Sequence, residues 1–190
     1  MRVVFHKSVP DDLRTISEVA IRFYCDTFMD KEVFNKISKF RVRFGEMEEK
    51  DDIAWMDPMG VDDDDFKTLP TKFEMLVNER FKDIRISDYL STLFHEMTHM
   101  AQYASGRLGH SPKGGWKWLG KRIPEDFEYY LHPWEIEAQG VETSALQLFH
   151  KRNPEFKILS RKNVRMNGRA KSSWKPLENQ GLTNPVKSTT

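Results

Sequence analysis

Ile86-Ser87-Asp88-Tyr89-Leu90-Ser91-Thr92-Leu93-Phe94-His95-Glu96-Met97-Thr98-His99-Met100-Ala101-Gln102-Tyr103 is the stretch from which the rest of the chain is read. Leu90, Leu93, Phe94, Met97 and Ala101 recur at steps of three and four, the spacing of one buried helical face. His95 and His99 are four residues apart, so on a helix turning 100° per residue they stand one above the other. Two imidazoles at that spacing can reach one small cation at about 2.0–2.1 Å, the usual distance for zinc. Glu96 lies on the adjoining side, where its carboxylate can act as a base beside the metal without binding it. Ser87 or Asp88 is the expected N-cap and Gly106 the expected stop.

A catalytic zinc takes three protein ligands and keeps one position open. Two residues compete for the third place. Glu135 opens a predicted helix over Glu135–His150, directly after the Pro133 break. Ala138, Val141, Ala145, Leu148 and Phe149 form its buried stripe. On that helix Gln139 and Glu142 share the face of Glu135, whereas Glu137 points almost the opposite way. Glu142 is then a candidate to hydrogen-bond a ligating His. The rival is His110, in the glycine-rich segment Gly106–Gly120, which reads as a loop roofing the site together with Trp116 and Trp118. Tyr129, Tyr130, His132 and His110 are candidate donors to an oxyanion.

Outward from this centre, Asp11–Phe28 reads as a helix burying Leu13, Ile16, Ala20 and Phe23, with Val33–Ile37 as a short second one. Val3–Phe5 is a candidate strand. Phe40, Val42 and Phe44 alternate with Arg41 and Arg43, the period of a half-buried strand, with Ile53–Met56 as its expected hairpin partner. Lys72–Asn78 carries Phe73, Met75 and Val77 on one side and is expected to be an exposed edge that could take up a peptide by strand addition. Asp62–Asp65 lacks the alternation and glycine of a calcium loop and reads as a solvated acidic turn.

The chain has 190 residues and a net charge of +1, enough for one ordinary domain. It contains no apolar run of membrane-spanning length and no signal-peptide core near its start. Cys25 is the single cysteine, set among apolar neighbours, so a thiolate metal site is excluded and a cytoplasmic setting is expected. From Lys151 to Thr190 there are ten Lys and Arg but only Glu155 and Glu178, so a basic, partly disordered tail is expected over 153–190 after a domain of 1–152. Such a tail could contact nucleic acid through phosphate charge.

His95–His99 followed by Glu135-Ile136-Glu137-Ala138 resembles the gluzincin pattern of an HExxH helix and a later Glu-bearing helix. More narrowly, HEMTHMAQYASG, WLGK and YYLHPWEIEAQGVE resemble small phage-encoded SprT-like metallopeptidases, over roughly Phe73–Glu142. The resemblance implies an α+β, zincin-like fold with a small antiparallel sheet packed on the HExxH helix and a second Glu-bearing helix. It implies a zinc peptidase acting on proteins or peptides, with His95, His99 and Glu135 as ligands and Glu96 as base. SprT itself takes a His as third ligand, which Gly109-His110-Ser111-Pro112 echoes in part, and that variant would act on DNA-associated proteins. If phage-encoded, the protein would work in the host cytoplasm.

Overall fold

In the computed structural model, residues 1–48, 52–60, 68–81, 84–111, 114–124 and 126–159 are described. The acidic run Asp62–Asp65 and the tail beyond residue 159 lie outside them. The architecture is α+β. Four strands, β1 (Arg2–Phe5), β2 (Lys39–Gly45), β3 (Ala54–Pro58) and β4 (Lys72–Asn78), form a sheet of order β1-β2-β4-β3. The helices are α1 (Asp11–Phe28), α2 (Lys31–Lys36), α3 (Ile86–Ala104), α4 (Pro133–Arg152) and α5 (Pro154–Leu159). Among the described residues no helix is long and apolar enough to cross a membrane.

The sheet is mixed, which corrects the antiparallel expectation. β1 pairs parallel with β2, and β2 parallel with β4; only β3 runs antiparallel, against β4. Parallel neighbours need a long return path. The α1–α2 excursion supplies it between β1 and β2. Ile53–Met56 is therefore no hairpin partner of β2, because β2 already has β1 on one side and β4 on the other. Likewise Lys72–Asn78 is not the exposed edge. Phe73, Met75 and Val77 are fully buried within an interior strand, and among the described residues the edges are β1 and β3.

Alternation determines the sheet's inner face. Phe40, Val42 and Phe44 of β2 join Phe73, Met75 and Val77 of β4 in one core with α1 and α3. Phe44 stacks on Tyr89 of α3 at 6.2 Å. On α3 the predicted stripe is buried at Leu90, Leu93, Phe94 and Met97, and Met100 and Ala104 extend it. Its other flanks receive α1, through Tyr24 stacked on Phe94, and α4, through Phe149 edge-on to Phe94. Two buried hydroxyl pairs, Tyr24–Thr98 at 2.9 Å and Ser17–Tyr89 at 2.7 Å, fix the register of α1 on α3. Cys25 is buried in this core, and burial pushes its thiol up to about 12. The packed chain runs past residue 152, since Phe156 of α5 stacks on Phe149 at 5.7 Å.

Helix α3 begins two or three residues earlier than a Ser87 or Asp88 cap would place it. Arg85 is its first flanking residue, and Asp88 sits inside the first turn, where it accepts from Arg85 Nε at 3.0 Å. Its end matches the expectation. Gly106 takes φ +75°, its N–H bonds to Tyr103 O, and Arg107 N–H bonds to Gln102 O, which together make a Schellman stop.

Gly106–Gly120 is more than a loop. It contains β5 (Leu108–His110) and β6 (Trp116–Trp118), which with β7 (Lys121–Arg122) form a second, antiparallel sheet. The glycines are what allow it. Gly114 and Gly115 turn the chain at φ +79° and +77°, and Leu119-Gly120 make a two-residue hairpin turn with both residues at positive φ. The sheet holds Trp116 and Trp118 against Trp134 at the start of α4.

Candidate metal centre

Helix α3 presents Glu96 and His99 to a cleft of about 600 Å³, with His95 one turn before His99 on the same helix. The edge strand β3 forms one wall. Trp116, Trp134, Leu108 and His110 form another, and Tyr129 lies at the mouth. Helix α4 crosses α3 at this point. Pro133 at its first turn pre-sets the backbone, and Glu135 projects from that turn into the site, 3% exposed.

Three donor atoms converge. His95 Nε2 and His99 Nε2 are 3.0 Å apart, and the two oxygens of Glu135 lie 3.3 Å from one imidazole nitrogen each. A tetrahedral ion with bonds of 2.0–2.1 Å has ligand–ligand edges of about 3.3–3.4 Å. The observed separations, between the two nitrogens and between each nitrogen and its own carboxylate oxygen, are close to those edges. Among the described residues this trio is the His/Cys/Asp/Glu group whose donor atoms all lie within 4.8 Å of one another. His110 is not in it. It stacks on Trp116 at 3.9 Å between ring centres and belongs to the wall of the cleft.

Both imidazoles are oriented from behind. His95 Nδ1 donates to Glu142 Oε2 at 3.0 Å, and Ser91 Oγ holds the other Glu142 oxygen at 2.6 Å. His99 Nδ1 donates to Gln102 Oε1 at 2.8 Å. With Nδ1–H committed in each ring, each Nε2 keeps its lone pair for the centre. Glu142 was legible from the face count along α4. Gln102 was missed by the sequence reading, although its position three residues past His99 on the same helix was the available signal. Glu137 points away from the centre, as expected, and pairs with Arg107 at 2.7 Å.

The charges of the site reinforce one another. Burial works against the His95 cation, but hydrogen bonds to Glu135 and Glu142 and the charge of Glu96 outweigh it and raise its pKa to about 10. His99 moves up against burial for the same kind of reason, through Glu135 and Glu96. Glu135, despite burial, is held well below the usual carboxylate range by the two imidazoles. Glu96 goes the other way. Burial pushes its carboxyl up to about 7, with the charges of His99 and His95 opposing. Of the four candidate oxyanion donors, Tyr129 and His110 line the cleft, and Tyr130 and His132 do not. Burial together with the nearby Glu135 carboxylate raises the pKa of the Tyr129 hydroxyl.

Comparison of the chain with protein-family models, with curated proteins and with solved structures finds no match.

Proposed function

We propose that this protein is a zinc-dependent peptidase of zincin-like architecture, with His95, His99 and Glu135 as the metal ligands. The observation that carries the reading is the convergence of those three residues, with donor atoms within 4.8 Å of one another, beside a cleft lined by Glu96, His99 and Glu135. Two nitrogens and one carboxylate oxygen are a donor set suited to zinc. Three ligands rather than four leave a position for chemistry, which separates a catalytic site from a closed structural one.

When bound, zinc supplies Lewis acidity, bringing water toward deprotonation near pH 7 and polarising a peptide carbonyl. The residues of the chain do the rest. Glu96 takes the proton of the attacking water and returns it to the amine as the C–N bond breaks. Tyr129 Oη, which lines the same cleft, donates to the oxygen that gains charge on the substrate carbonyl. The substrate is a protein or peptide segment. Strand β3 borders the cleft and is the last strand of its sheet among the described residues, which suits an extended chain laid alongside it. A cytoplasmic setting accords with the lone buried Cys25.

The test is zinc content by elemental analysis of purified wild type, His99→Ala, Glu135→Ala and His110→Ala. About one zinc per chain is expected in the wild type and in His110→Ala, with loss in the other two variants. Loss in His110→Ala with retention in Glu135→Ala would transfer the third-ligand role to His110. A wild type that takes up no zinc would end the metallopeptidase reading.

A further inference from the structure

We propose that Gln102, steered by the Arg107–Glu137 ion pair, is a positioning residue that commits His99 to the tautomer able to ligate through Nε2. The inference rests on the metal-site reading above. Gln102 is fully buried, and its carboxamide has two chemically different ends. The Nε2 end faces the backbone carbonyl of Trp134 at 3.0 Å and Glu137 Oε2 at 3.2 Å. Both partners are pure acceptors, so only the NH2 group can sit there. The Oε1 end must then face His99 Nδ1, 2.8 Å away, and an oxygen can only accept. His99 therefore carries its hydrogen on Nδ1.

Turning the amide over shows what is at stake. Oε1 would meet two acceptors, and the NH2 group would donate to Nδ1 and drive the ring hydrogen onto Nε2, where it blocks ligation. Glu142 behind His95 poses no such problem, because either carboxylate oxygen accepts. The amide behind His99 needs an orienting partner, and Glu137 supplies one. Glu137 is itself gripped by Arg107 Nη1, at 2.8 Å and 2.7 Å to its two oxygens. Arg107 is placed by the Schellman stop of α3, whose last bond joins its own N–H to Gln102 O, and its guanidinium lies 5.4 Å over the Trp118 ring. A half-exposed ion pair thus orients a buried amide, and the amide orients a ligand.

The experiment uses the full chain. Zinc affinity is measured by competition with a chromophoric chelator, and the protected imidazole N–H protons of the zinc-loaded protein are observed by NMR. The wild type should bind zinc and show two such signals, one from His95 and one from His99. Gln102→Leu and Glu137→Ala should each weaken zinc about 10- to 100-fold and lose the His99 signal while keeping that of His95. If Gln102→Leu does not fold, Glu137→Ala decides alone, since its side chain is 33% exposed and its loss opens no core. Wild-type affinity with both signals intact in Glu137→Ala would overturn the proposal. So would weaker binding with both signals intact, which assigns the network to packing. Failure of the wild type itself to bind zinc would remove this inference along with the metal site, whereas zinc bound normally by all three proteins would remove the inference alone.

Discussion

Glu96 and Tyr129 both line the cleft, and each has a substitution that preserves shape and removes one chemical capacity. The Glu96 carboxyl, pushed up to about 7 by burial, is matched to proton transfer near neutral pH. Glu96→Gln keeps the volume but cannot take the proton. Peptide hydrolysis should fall about 10²- to 10⁴-fold at unchanged zinc content, followed with a quenched fluorescent peptide and elemental analysis. Turnover at the wild-type rate would remove Glu96 from the mechanism. Tyr129→Phe keeps the ring in the cleft lining and deletes the hydroxyl. Steady-state kinetics should show kcat lowered about 10²- to 10³-fold with KM close to wild type. A change confined to KM would make Tyr129 a wall of the cleft and nothing more.

Among the elements, the small sheet after α3 carries the one non-glycine residue at positive φ in the described chain, Leu119 at +50°. It occupies the first position of the Leu119-Gly120 turn, and its side chain is 61% exposed, so it gains little packing in return. A leucine there is strained by contact between Cβ and the backbone, whereas asparagine tolerates the region. Leu119→Asn should therefore stabilise the fold by about 1 kcal/mol, read as a higher urea midpoint with unchanged slope. No gain would mean that the strain is relieved elsewhere. Element existence was largely legible: α1, α3 and α4 follow their apolar stripes, and β2 and β4 their alternation. Partnership was not. A period of two says that a strand has one buried face, and it is silent on which strand lies beside it or in which direction.

For the whole molecule, the site links folding, metal and protons. In the metal-free protein the pKa of His95 rises from 6.5 to about 10. A raised pKa on a cationic group adds stability that is fully present below about 6.5 and disappears as pH rises through about 10. Glu96, an acid with a pKa raised from 4.5 to about 7, adds a loss of the same sign between those values. The thermal midpoint of the metal-free protein should therefore decline from pH 5 toward pH 10. Zinc must displace the His95 proton, so binding at pH 7.5 should release at least one proton, measured by calorimetry in buffers of different ionisation enthalpy. Uptake, or no exchange, would contradict the hydrogen-bonded His95–Glu135–Glu142 arrangement.

The helix that carries His95, Glu96 and His99, the stripe that buries it, and a later helix with Glu135 and Glu142 on one face were all legible in the sequence. These follow from 3.6-residue periodicity, which is local and needs no knowledge of what lies across the core. Only the tertiary structure decided between Glu135 and His110 as the neighbour of the His pair. It also made the sheet mixed, placed β4 inside it with β3 at one edge, and set Glu137 and Arg107 behind Gln102 and His99. These depend on residues far apart in the chain meeting in space. Such meetings are settled by the packing of whole elements and the satisfaction of buried polar groups, neither of which a local pattern contains.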